Sequence, residues 1–229
     1  MAQPGNHDLA QRMAELARAS AAPRNLTDVL SDVTSTALEL IPGVDTAGVL
    51  LIGSRGKFES LANTSDLPYQ LDELQMTYNE GPCVQAALDD VIVRTDDFRE
   101  ERRWPRYSAA CVQIGVLSGL SLKLYTSDRT AGALNLFAFK ANAFDGRAET
   151  IGVILAAHAA AAILASRHGE QLESALSTRD RIGQAKGIIM ERYGVDDVRA
   201  FEMLRQLSQD SNTRLSDIAQ RVIDTRGDA

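Results

Sequence analysis

The chain has 229 residues, 45% of them hydrophobic, and a formal net charge of −7, which is enough apolar material for one large core or two modest ones. The acidic balance repels nucleic acid on average and excludes a broad basic footprint, so any affinity of that kind must come from placed contacts. Two cysteines (Cys83, Cys111) and three scattered histidines (His7, His158, His168) exclude a disulfide framework and metal-ligand spacing.

In chain order, residues 1–24 are polar and alanine-rich and read as an N-terminal arm, with Leu9, Met13 and Leu16 as a short helical stripe before Pro23. From Asn25 the spacing of Leu26, Val29, Leu30, Val33, Ala37, Leu38 and Ile41 predicts a helix, ended by Pro42-Gly43. Two strand-like runs around residues 53–56 predict a hairpin. Two short helices follow, separated by Glu80-Gly81-Pro82, then a short strand in "VIVRTDD" and a short helix in "RWPRYSAACVQIG". The alternating runs "VLSGLSLKLYTSD" and "RTAGALNLFAFKA" predict a second hairpin turning at residues 127–129. Together these elements predict an α+β domain over residues 25–167, an antiparallel sheet with flanking helices.

From residue 147 to 193 a helical pattern runs with Gly169 as its one weak point before Gly183. Its most apolar part, residues 151–165, is alanine-rich and interrupted by His158, which predicts a run too short to cross a bilayer; with no signal-peptide pattern at the N-terminus, a cytoplasmic location is expected. Gly194 is placed as a helix C-cap, and Asp196-Asp197 start a helix whose apolar face is Ala200, Met203, Leu204 and Leu207. After "DSNT" a third helix carries Leu215, Ile218, Ala219, Val222 and Ile223 at helical spacing. The pattern predicts an all-α three-helix bundle over residues 168–229, joined to the first domain by the long helix. From Gln171 onward nine Lys and Arg face ten Asp and Glu, so this part is nearly neutral.

The words "QAKG" at 184–187, "AFEMLR" at 200–205 and "SNTRLSDIA" at 211–219 resemble an ANTAR domain, the RNA-binding module of bacterial transcription antiterminators. What precedes it is similar to GAF domains over about residues 25–165, through "NEGPC" at 79–83, "RWPRY" at 103–107, "GVLSGLSLKLY" at 115–125 and "AGALNLFAF" at 131–139. The resemblance implies a GAF sensor that takes a small-molecule ligand or stress signal. It also implies an effector that binds paired RNA hairpins and keeps a terminator from forming. The residues show no phosphate loop, nucleophile motif or paired acids at metal-type spacing, so no enzyme activity, cofactor or metal is expected.

The segment Gly-Gln-Ala-Lys-Gly is costly for a helix, since Gly183 and Gly187 each sacrifice about 1 kcal/mol relative to alanine. One reading is close helix packing, with the Lys186 stem lying over the core. The other is a bared backbone that a phosphate or base can approach, with Lys186 as the charge that meets it. Residue types alone favour packing, and the resemblance favours RNA. The resulting RNA-binding candidates are Arg181, Gln184, Ala185, Lys186, Gly187, Arg205 and Arg214, with Arg221 on the same helix face as Arg214. Tyr193 and Phe201 read as core. In the first domain Cys83, Phe98 and Trp104 are candidate pocket residues, although a buried apolar role competes at each, and His158 reads as a packing residue. The alanine-rich stretch 156–165, continued by Leu172, Ala175, Leu176 and Ile182, predicts a parallel homodimer through the long helix. A different reading keeps the dimer and makes the bundle a protein-interaction module without direct RNA binding.

Overall fold

In a computed structural model the residues described are 11–12, 14–15, 18, 24–52, 58–83, 91–126 and 129–225. They form two compact units, Met1–Ser166 and Arg167–Ala229.

The first unit is built on a five-stranded antiparallel sheet. Its elements are α1 (Leu26–Leu40), β1 (Thr46–Ile52), β2 (Phe58–Leu61), α2 (Asp66–Tyr78), β3 (Ile92–Thr95), α3 (Pro105–Gln113), β4 (Ser118–Thr126) and β5 (Arg129–Ala138). A long helix, α4 (Gly146–Tyr193), follows. The strands run in the order β2-β1-β5-β4-β3. Asn25 caps α1, its side chain accepting from the Thr27 N–H at 3.0 Å, as a helix N-terminus with orphan donors requires.

Period-two alternation divides the sheet into two faces. Leu120, Leu122 and Leu124 of β4, with Leu134 and Leu136 of β5, join the core formed with Leu30, Val33 and Ala37 of α1. Ile151, Leu155, Ala159 and Ile163, at four-residue spacing on α4, complete that core. The intervening residues of the strands, Ser121 and Asn135, are direct partners in register and look to the other side.

The expected hairpin partners pair as β1–β2 and β4–β5, while their turns at 53–57 and 127–128 lie outside the described residues. So does the body of the second short helix after Pro82. The stripe residues Leu9, Met13 and Leu16 of the N-terminal arm also lie outside them, but Gln11, Arg12, Ala14, Glu15 and Arg18 are helical. Arg12 pairs with Glu39 of α1 at 2.5 Å. One expectation is corrected: α4 does contain a stretch long and apolar enough, by length and composition, to cross a membrane, because its alanines add to the hydropathy. Some 44% of that stretch is buried within the fold.

The second unit comprises the C-terminal part of α4 with α5 (Asp197–Asp210) and α6 (Leu215–Asp224). Gly194 ends α4 with φ +65°, a left-handed conformation that glycine adopts without cost, and its N–H reaches the Met190 carbonyl at 3.0 Å. Asp196 then caps α5, accepting from the Arg199 N–H at 2.8 Å. The fully enclosed core is small: Ala185, Ile189, Ala200, Leu204, Ile218 and Ala219. Leu207, placed on the apolar face by its spacing, is half exposed.

Candidate functional site

In the second unit, Gly183 and Gly187 are both exposed. A Cβ built on either would meet nothing within 4 Å beyond the helix itself. The close-packing explanation therefore fails among the described residues of this chain: neither glycine makes room for a neighbouring helix. Gln184 is also exposed, while Lys186 is 22% exposed and its ammonium is paired with the Asp197 carboxylate at the start of α5.

Gly183, Gln184 and Lys186 border an open hollow of about 900 Å³, which extends along α4 past Thr178 and Arg179 and is closed on the α5 side by Phe201. Arg179 and Phe201 are walls that the sequence reading missed. Tyr193 and Phe201 were expected in the core, yet they are 60% and 39% exposed; six small and aliphatic residues fill that core without a ring. Helical spacing that puts Phe201 beside Ala200 and three residues before Leu204 was the misleading signal.

The remaining candidates separate. Ala185 is fully buried in the bundle core, so its side chain presents nothing to a ligand, which corrects its place among contact residues. Arg181 is half-buried and donates from Nη2 to the Ser177 Oγ at 2.9 Å, back along its own helix. Arg205 and Arg214 are exposed, Arg214 at the N-cap of α6 without a side-chain cap bond. None of these three arginines forms part of the hollow's wall.

In the first unit, α2 carries Asp72 and Gln75 three residues apart, on the face that meets the sheet. Both are buried, as are Cys83, Ser121 and Asn135. The Asn135 amide oxygen accepts from Ser121 Oγ at 2.8 Å and from Cys83 Sγ at 3.0 Å. Asp72 accepts from Ser60 Oγ at 2.6 Å and, more weakly, from the Asn135 and Gln75 amides at 3.4 Å. Burial pushes the Asp72 carboxyl up to about 7, opposed by the bonds from Ser60 and Gln75. The same burial pushes the Cys83 thiol up to about 12, helped by the Asp72 charge, which leaves it a protonated donor rather than a reactive thiolate.

Gly81 explains the "GPC" word locally. Its φ of +130° suits glycine, and a side chain there would strike the Gln75 amide, whose oxygen accepts the Cys83 N–H at 2.9 Å.

Phe98 and Trp104 are buried in a second core cluster with Leu71, Tyr107 and Phe137, Phe98 and Tyr107 meeting edge-on with centroids 5.9 Å apart. They are packing residues rather than pocket walls, a correction whose cause is that side chains from α2, α3 and β5 (Leu71, Tyr107, Cys111 and Phe137) close around them. A hollow of about 400 Å³ lies instead between α2 and β1–β2, bordered by Leu50, Phe58, Ser60, Tyr69, Asp72 and Met76 among others. Among the described residues, no group of three or more His, Cys, Asp or Glu is placed to hold a metal ion.

The chain is thus a sheet unit with an enclosed polar cluster, followed by a helical bundle with a stripped face. The GAF domain family matches residues 23–164 and the ANTAR domain family residues 170–223; the first match spans more than half of the chain, and the protein belongs to the GAF domain family, with an ANTAR domain following. No curated protein matches. Among solved structures, the GAF domain of a phosphoenolpyruvate-protein phosphotransferase from Coxiella burnetii is similar at 18% identity and a TM-score of 0.59, covering 73% of this chain and 99% of that one. Free methionine-R-sulfoxide reductase from Neisseria meningitidis is similar at 15% identity and a TM-score of 0.55, covering 74% and 96%. Bacteriophytochrome RpBphP3 from R. palustris, at 10% identity and a TM-score of 0.58, covers 81% of this chain and 43% of its own. At these identities the likeness is one of fold.

Proposed function

We propose that the protein is a cytoplasmic, signal-responsive regulator that binds tandem hairpins in nascent RNA through its ANTAR bundle and so promotes transcription antitermination. The observation that carries this reading is the exposed, side-chain-free strip at Gly183 and Gly187, with Lys186 beside it. A helix that sacrifices about 1 kcal/mol at each glycine, with no helix of its own chain to accommodate, keeps that surface low for something outside. A phosphate-bearing ligand meets there a lysine, the Gln184 amide and open backbone. Arg205 and Arg214 add exposed positive charge for backbone contact, and Arg181 does so once released from Ser177. Ala185 supports the face from below.

The regulator acts as a homodimer. Leu172 and Leu176 of α4, one turn apart, are 64% and 52% exposed, and burying them against a second copy is the favourable outcome for so much apolar surface. Two bundles then meet two hairpins. The GAF unit takes a small ligand in the hollow beside Asp72 and shifts the population of dimer geometries by its differential affinity for them.

Equilibrium binding of a tandem-hairpin RNA tests the reading. Affinity falls in Lys186→Ala and Gly187→Leu chains whose circular dichroism matches the wild type, and wild-type affinity weakens steeply with salt through counterion release. Undiminished binding in both variants overturns it.

A further inference from the structure

We propose that Phe201 is a stacking platform for an unpaired nucleobase of the RNA loop, received in the hollow between α4 and α5. The inference rests on the RNA-binding reading and adds to it the chemistry by which a base, rather than a phosphate, is held.

Between residues 170 and 223 the chain has two aromatic residues, Tyr193 and Phe201, and neither is in the core of this unit. Phe201 is 39% and Tyr193 60% exposed, so each leaves part of an aromatic ring open to solvent beside a core of small and aliphatic side chains. Phe201 is held in place nonetheless, because Ala200 before it and Leu204 three residues on are both fully buried. A rigid helix therefore presents an aromatic face to the same hollow that Gly183, Gln184 and Lys186 border.

Those groups complement one another for a base. RNA loops are recognised by splaying an unpaired base onto an aromatic face and bonding its edge, with a cation for the adjoining phosphate. Phe201 supplies the face, the Gln184 amide supplies a donor and an acceptor for the edge, and Lys186 supplies the cation. Gly183 leaves the floor open where any side chain would intrude. Tyr193 is the more exposed ring but is not part of the wall.

The test uses the full-length chain and a pool of RNAs with two stem–loops whose short loops are randomised. The tightest member is resynthesised with 2-aminopurine at each loop position in turn. The wild type quenches the probe at one loop position, and Phe201→Tyr keeps both quenching and affinity. Phe201→Leu, which retains apolar bulk but no π face, loses the quenching and binds about 10- to 100-fold more weakly, in a chain whose circular dichroism matches the wild type. A Phe201→Leu chain that binds as tightly as the wild type overturns the inference alone. So does one that loses affinity only by failing to dimerise in sedimentation, which assigns the ring to a second copy. A wild-type chain that retains no member of the pool overturns the RNA-binding reading with it.

Discussion

The Lys186 ammonium on α4 is paired with the Asp197 carboxylate at the first residue of α5, so the one lysine of the stripped face is already held by an anion of the same chain. An RNA phosphate that uses Lys186 must displace that carboxylate. Lys186 is partly covered, but Asp197 is 66% exposed, and pairs open to solvent are worth about 0–1 kcal/mol, so the competitor is removable. Asp197→Asn is expected to tighten hairpin RNA binding by about two- to fivefold and to steepen its salt dependence, measured by filter binding across a salt series. Weaker binding in that variant would show that Asp197 positions the lysine rather than competing for it.

The two glycines separate stability from function. A Cβ at Gly183 or Gly187 meets nothing within 4 Å, and neither residue has a positive φ. Each Gly→Ala change is therefore expected to stabilise the bundle by about 0.5–1 kcal/mol, read as a higher midpoint in urea unfolding. Lower stability in either variant would mean that the glycine packs against something the folded chain provides. RNA affinity is expected to fall as stability rises, most at Gly187→Leu.

Asp72 makes the first unit sensitive to pH. Its folded carboxyl is raised from 3.8 to about 7 by burial, so the folded state holds a proton that the unfolded chain has released across that range. Stability therefore declines as pH rises from about 4 to 7 and levels off above, a contribution of roughly 4 kcal/mol in all. Asp72→Asn can still accept from the neighbouring amides without the charge, and the difference in melting temperature between wild type and variant should widen from pH 5 to pH 8. A constant difference would show that Asp72 is ionised throughout.

Cys83 and Cys111 are both buried, with thiols pushed up to about 12. Neither is expected to react with a thiol reagent at pH 8 until the chain unfolds, so labelling of the native protein should track global opening. Rapid labelling of one cysteine in the native state would contradict its burial.

The order of elements was legible because the apolar spacing is regular. The four-residue repeat of Ile151, Leu155, Ala159 and Ile163 and the alternation through Leu120, Leu122 and Leu124 each name the face that the core takes. Side-chain destinations were legible only where burial and spacing agree. Phe201 and Leu207 have core spacing but are 39% and 50% exposed, because the core they would join is already filled by small and aliphatic residues. Ala185 lies inside the most recognisable word of the sequence and yet faces inward, because it stands one turn before Ile189 on the face that packs with Ala200, Leu204 and Ile218. The polar cluster of Asp72, Gln75, Cys83, Ser121 and Asn135 was not visible in advance: it joins residues up to 63 apart, and only the strand register brings them together.

The most direct measurement is recovery and sequencing of RNA crosslinked to the protein in its own cells, with the Lys186→Ala chain as control. Enrichment of paired hairpins, lost in the control, is the expected result; RNA no richer in such hairpins than that recovered with Lys186→Ala contradicts RNA binding at this face.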